Sequence, residues 1–100
     1  MEKMIGKVSD FAEGSGKMVA VDGKAVAVFN IDGKLFAVDE LCTHAHGPLH
    51  EGSVENYAVE CPWHGSRFDL KSGRVVQGPA RNPVSTYKVV IKGQEVFLDI

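Results

Sequence analysis

The hydrophobic pattern of the chain is one of short apolar runs cut by two-residue polar turns. Lys17 to Val21 and Lys24 to Ile31 are rich in Val and Ala and are separated by Asp22-Gly23, residues suited to the positive φ of a tight hairpin turn. Asp32-Gly33 repeats the device before Lys34 to Val38, so a three-stranded meander is expected, delivering the chain to Cys42. At the C-terminus, Thr86 to Ile91 and Glu95 to Asp99 flank Lys92-Gly93, and Val96, Leu98 and Ile100 alternate with Phe97 and Asp99. That alternation predicts a terminal hairpin with one buried face. Lys3 to Val8 reads as a first strand, and Ser9-Asp10-Phe11 caps a single helical turn that Gly14-Ser15-Gly16 ends.

The middle of the chain continues in the same style. Tyr57 to Glu60 is a short strand running into Cys61, and Arg67 to Leu70 turns through Lys71-Ser72-Gly73 into Arg74 to Val76. Gln77 to Pro83 holds Gly78-Pro79 and Asn82-Pro83, which break regular structure and leave a stiff loop whose placement no periodicity fixes. No stretch has a helical period and no internal repeat is visible. Strands of this length with turns at regular spacing predict an all-β fold, an antiparallel sandwich or small barrel. The Val, Phe and Leu positions within these strands are core.

Composition narrows the function without choosing it. One hundred residues with 44% apolar content form one domain, residues 1–100, large enough to bury a modest core. A formal charge of −2, with both signs interspersed, supplies no basic stripe for nucleic acid, so partners are expected to be proteins. The longest apolar stretch, Ala25 to Phe29, is too short to span a bilayer, and the first residues build no secretory signal. A soluble, monomeric, cytoplasmic protein is expected, with its two cysteines kept as free thiols.

The chemistry is concentrated between residues 42 and 64, which hold both cysteines and all four histidines. Two mixed pairs, Cys42-x-His44 and Cys61-x-x-His64, lie on separate loops, so each loop can offer one thiolate and one imidazole to a shared metal centre. The residue types alone suit structural zinc, a blue-copper relative or an iron–sulfur cluster. Zinc fingers pair like with like at short spacing. Mixed pairs suit a binuclear centre in which one metal takes both cysteines and the other both histidines.

Together with its surroundings, this pattern resembles the Rieske [2Fe-2S] family. The likeness extends through Cys61-Pro-Trp-His-Gly-Ser-Arg-Phe-Asp69, Gly47-Pro48-Leu49 and Gly78-Pro79-Ala80. It implies a Rieske-type sandwich with a small inserted cluster-binding subdomain at about residues 41–79. Cys42 and Cys61 would hold the inner iron and His44 and His64 the outer one, while His46 and His50 match no ligand position. Respiratory members carry a cysteine in each ligand loop, forming a disulfide, and a tyrosine after the second loop. Here those positions are Gly47, Trp63 and Phe68. Such departures resemble the soluble ferredoxins of bacterial aromatic-ring-hydroxylating dioxygenases. The resemblance therefore implies a non-catalytic one-electron carrier between a flavoprotein reductase and a terminal oxygenase. The alternatives are a small subunit of the assimilatory nitrite reductase type and a structural zinc module for protein interaction. Backbone N–H groups from His44 to Gly47 and from His64 to Ser66 are expected to face the cluster sulfurs, Ser66 offers a hydroxyl, Gly65 permits close approach, and Trp63 is expected to be buried as a shield.

Overall fold

The computed structural model describes residues 1–100. Its strands, in chain order, are β1 (Glu2–Lys7), β2 (Gly16–Val21), β3 (Lys24–Ile31), β4 (Lys34–Asp39), β5 (Val54–Glu55), β6 (Ala58–Glu60), β7 (Arg67–Asp69), β8 (Val75–Gln77), β9 (Thr86–Lys92) and β10 (Glu95–Asp99). Single 3-10 turns occur at Val8–Asp10 and Leu49–Glu51. Both expected Asp-Gly turns form, with φ of 50° and 80° at Asp22 and Gly23 and 54° and 80° at Asp32 and Gly33. Strands β2, β3 and β4 therefore pair as the predicted meander.

The larger sheet has the order β1-β10-β9-β4-β3-β2, and the smaller one, β5-β6-β7-β8, is inserted between β4 and β9. Strand β4 meets β9 through only two residue pairs, Ala37 with Tyr87 and Val38 with Thr86. The large sheet folds over at this narrow seam, so its two halves face each other. Val26, Val28 and Ala37 from one half share a buried core with Val96 and Leu98 from the other.

The reverse face of β3 and β4 is buried too. Ala27, Phe29 and Val38 pack with Val59 and Phe68 of the inserted sheet, and with Leu70 just after it, in a second core that also contains Cys42 and Cys61. Strand β3 is thus the middle layer, which explains why Val26-Ala27-Val28-Phe29 is continuously apolar rather than alternating. Burying each of its larger side chains contributes about 1.5–3 kcal/mol. The outcome is an antiparallel sandwich carrying a second lobe on one face, as expected.

Two local expectations need correction, and one short strand adds to those expected. The 3-10 turn after β1 spans Val8–Asp10, so Ser9 and Asp10 lie within it rather than before it, and the Asp10 carboxylate caps it from inside by accepting the Lys7 N–H at 2.8 Å. Tyr57 does not open β6 but sits in the tight β5–β6 turn with Asn56, both at positive φ. The unfavourable backbone there is offset by its side chain, which packs edge-on to Phe36, donates to Asp32 at 3.1 Å and lies under the Lys71 ammonium. Finally, β5 is a two-residue strand that no sequence pattern marked.

Candidate metal centre

Both ligand loops hang from strand ends. The first, residues 41–48, leaves β4 and is closed by an isolated bridge between Leu41 and Pro48. The second, residues 61–66, joins β6 to β7. They adopt the same turn. In the first loop the Cys42 N–H donates to the Gly47 carbonyl at 2.9 Å and the His46 N–H to the Cys42 carbonyl at 2.8 Å. In the second, the Cys61 N–H donates to the Ser66 carbonyl at 2.7 Å and the Gly65 N–H to the Cys61 carbonyl at 3.1 Å. Both turns need positive φ at their fifth residue, which is His46 at 59° and Gly65 at 80°. Gly65 therefore serves the turn through its backbone angle, which it adopts with less strain than His46 does in the first loop. A Cβ there would meet nothing, so its expected role in close approach is not what the geometry displays.

The close approach belongs to Gly47. A Cβ on it would lie 2.6 Å from the Cys61 Sγ and 3.1 Å from the Trp63 Cγ, so a bare backbone is what lets the two loops pack together. Cys42 and Cys61 are fully buried free thiols whose sulfurs lie within hydrogen-bonding reach of each other. His44 and His64 are exposed, with ring centroids 5.2 Å apart and planes at 88°. The four side chains thus form two like pairs, sulfur with sulfur inside and imidazole with imidazole outside.

Burial pushes the Cys61 thiol above its ordinary pKa, and the neighbouring Cys42 thiol pushes the same way. The backbone N–H groups of Trp63 and His64 oppose this by donating to the sulfur. Donors were expected from His64 to Ser66; the run that reaches the sulfur starts one residue earlier. A metal that displaces the thiol proton would inherit these donors.

The irregular residues 78–83 follow β8, and together with Gln77 at its end they bond to both ligand loops. The Thr43 hydroxyl donates to the Asn82 carbonyl at 2.6 Å, the Ala80 N–H donates to the Ser66 Oγ at 2.9 Å, and the Gln77 side-chain amide donates to the Gly65 carbonyl at 2.9 Å. Ala80 is buried in the core that holds the two cysteines.

Trp63 is 58% exposed beside His64, contrary to the expected shield. The turn points residues 62–64 outward, and Gly47 already fills the space below it. Leu49 is fully buried in the core that holds the two cysteines. His46 is exposed. His50 is not a free loop histidine: its backbone N–H and its Nδ1 both engage the carboxylate of Glu40, a residue sequence reasoning missed because lone acidic side chains at strand ends are ordinarily solvated.

A model of the Rieske [2Fe-2S] domain matches residues 1–88. This chain belongs to the Rieske [2Fe-2S] family. It is 38% identical, over 99% of its length and 97% of the relative's, to the ferredoxin component of a naphthalene 1,2-dioxygenase system from Pseudomonas aeruginosa. Among solved structures, it resembles the ferredoxin of carbazole 1,9a-dioxygenase from Nocardioides aromaticivorans IC177, with a TM-score of 0.93, 29% identity and coverage of 98% and 96% of the two chains. It is also similar, at a TM-score of 0.90, 28% identity and coverage of 97% and 91%, to a chain in a complex of reduced oxygenase and oxidized ferredoxin in carbazole 1,9a-dioxygenase.

The cofactor of such a Rieske domain is a [2Fe-2S] cluster, and the donor chemistry here fits it. No three His, Cys, Asp or Glu side chains converge on one point, as a mononuclear zinc site would require. Paired sulfurs at one end and paired imidazoles at the other instead match a centre with two metals in different ligand fields. No helix is long and apolar enough to cross a membrane.

Proposed function

We propose that the protein is the ferredoxin component of a bacterial aromatic-ring dioxygenase system, taking one electron at a time from a flavoprotein reductase and passing it to a Rieske oxygenase. We further propose Cys42 and Cys61 as ligands of the inner iron, and His44 and His64 as ligands of the outer iron, of one cluster per chain. The lobe that carries it is residues 41–79 within a single domain spanning 1–100. The observation that carries this reading is the polarity of the donor set: buried sulfurs on the core side and exposed imidazoles on the surface. A cluster held this way supplies reversible one-electron chemistry, at potentials of about −150 to +300 mV for two-histidine ligation.

The residues of the chain then have separable tasks. The N–H groups of Trp63 and His64 donate to the Cys61 sulfur and favour the more negative, reduced state. The buried core around the cysteines excludes water from the inner end. At the outer end, the exposed His44, Pro62, Trp63, His64 and Pro79 offer an apolar contact through which an electron can leave by an imidazole edge. A surface this small suits transient docking, below about 1,200 Å². Free thiols suit a reducing compartment, which supports a cytoplasmic location.

The test is His64→Cys. Exchanging a neutral ligand for a thiolate adds negative charge, so the reduced-state EPR spectrum should change or vanish, and any surviving cluster should have a lower potential. An unaltered spectrum, or a higher potential, would remove His64 from the ligand set. Reduction of the wild-type protein by a flavoprotein reductase, followed by oxygenase turnover, tests the carrier role. A purified protein containing zinc but no iron or labile sulfide would favour the zinc module instead.

A further inference from the structure

Glu40 is the one charged residue buried in this protein, at 5% exposure, and both its carboxylate oxygens are taken by a single partner. Oε1 accepts the backbone N–H of His50 at 2.9 Å, and Oε2 is hydrogen-bonded to the His50 Nδ1. The Glu40 main chain is engaged as well, its carbonyl accepting the Leu49 N–H at 2.8 Å and its own N–H donating to Ala25 of β3 at 3.1 Å. The other face of residue 50 lies against β2. A Cβ on Gly16 would come within 2.6 Å of the His50 carbonyl oxygen and 3.0 Å of its Cα. Residues 40 and 49–50 are the two ends of the first ligand loop, so a side chain from one end grips both the backbone and the ring of the other, and the joined ends are seated on β2 and β3.

Burying a carboxylate is costly unless it is fully hydrogen-bonded, and core packing alone would be served by an apolar residue at position 40. What the polar pair adds is directional. It fixes the separation and register of the loop ends, and thereby where Cys42 and His44 sit relative to the second loop. We propose that Glu40 and His50 are positioning residues that clamp the first ligand loop in its cluster-holding conformation. This rests on Cys42 and His44 being ligands.

The test uses the purified, cluster-loaded wild-type protein with His50→Ala, His50→Asn and Glu40→Gln. Each is followed by bleaching of its visible absorption in excess iron chelator and by reduced-state EPR. His50→Ala removes the side-chain bond to Oε2. It should release its cluster about tenfold faster or more, the size expected for one lost hydrogen bond to a charged group, with a broadened EPR spectrum. Asn places an amide N–H close to the position of Nδ1, so His50→Asn should bleach within about threefold of wild type with a native spectrum. Glu40→Gln keeps an acceptor for the backbone N–H and a donor for the ring nitrogen in its other tautomer, and should also retain the cluster.

An alanine variant with wild-type kinetics and spectrum overturns the clamp, as does an asparagine variant that bleaches as fast as alanine, since that would make imidazole bulk the relevant property. If His50→Ala does not accumulate folded, His50→Leu, which approximates the imidazole in size but has no donor, takes its place: it should bleach about tenfold faster than His50→Asn, and bleaching as slow as His50→Asn overturns the clamp. A wild-type protein without iron and labile sulfide would instead sink the cluster reading, and the clamp with it.

Discussion

Ser66 is fully buried, and its hydroxyl is only half accounted for by protein partners. Its Oγ accepts the Ala80 N–H at 2.9 Å, which uses one lone pair and leaves the hydroxyl proton free to donate. Its carbonyl closes the second loop by accepting the Cys61 N–H at 2.7 Å, so the residue lies against the proposed inner end of the cluster. A proton donated to a sulfur there stabilises the reduced state more than the oxidised one, because reduction adds negative charge. With a differential of about 0.5–1.5 kcal/mol for one hydrogen bond and about 59 mV per tenfold for one electron, Ser66→Ala should lower the midpoint potential by roughly 20–65 mV.

The same substitution strips the Ala80 N–H of its acceptor. An unpaired buried donor costs about 1–3 kcal/mol, so the midpoint of chemical unfolding should fall as well. Potentiometric titration of wild type and variant at one pH, with EPR to show that the cluster is intact, measures the first effect, and a denaturant series measures the second. A variant with an intact cluster and an unchanged or higher potential would refute donation by the hydroxyl to sulfur. An unchanged unfolding midpoint would show that Ala80 has found another acceptor and that the segment 78–83 is not pinned through Ser66.

Three further outcomes are expected. Gly47→Ala places a methyl group 2.6 Å from the Cys61 Sγ, so iron and labile sulfide per chain should drop sharply, and full occupancy would contradict the loop packing described above. Phe68 is fully buried in the core shared with both cysteines, so Phe68→Tyr should place a hydroxyl within reach of a proposed ligand sulfur and raise the potential by roughly 20–65 mV; an unchanged or lower value would show that residue 68 does not face the cluster. Tyr87 is pushed up to about 12 by burial and by its bond to Asp39, so the native state keeps its proton where the unfolded chain, near 10, has lost it. Its stabilising contribution is whole below pH 10 and is lost as pH rises to 12, so wild-type stability should decline over that window slightly more than that of Tyr87→Phe; equal declines would contradict it.

Features written in local residue order are legible in the sequence alone. The sign of φ at an Asp-Gly turn depends on two residues, and the alternation around Val96 and Leu98 on five, so the meander and the terminal hairpin can be read directly. The Cys-His pairs are equally plain because every cysteine and histidine of the chain falls in one stretch. Features decided by distant contacts are not legible in this way. Tyr57 has a strand former's side chain, and only Phe36, Asp32 and Lys71 make it tolerable in a turn. Nothing in Gln77–Pro83 states that its carbonyl and amide groups meet Thr43, Gly65 and Ser66. The pairing of Glu40 with His50 is invisible for the same reason, since it depends on the loop having already turned back on itself.

No internal repeat is visible in the sequence, yet the two ligand loops are the same turn. The shared element is a backbone pattern: a cysteine whose N–H bonds to the carbonyl five residues on, and whose carbonyl accepts the N–H four residues on, with positive φ at that fourth position. Only the cysteine is common to both side-chain sequences, and the histidine stands two residues after it in one loop and three in the other. Identical turns facing each other across Gly47 bring their first side chains together at the bottom and their outward side chains together at the rim. The cysteines therefore meet in the core and the histidines at the surface. A single tetrahedral ion would need the four donors at one point. Two opposed turns of this kind spread them along an axis from core to solvent, which is the separation that two metals of unequal ligation require.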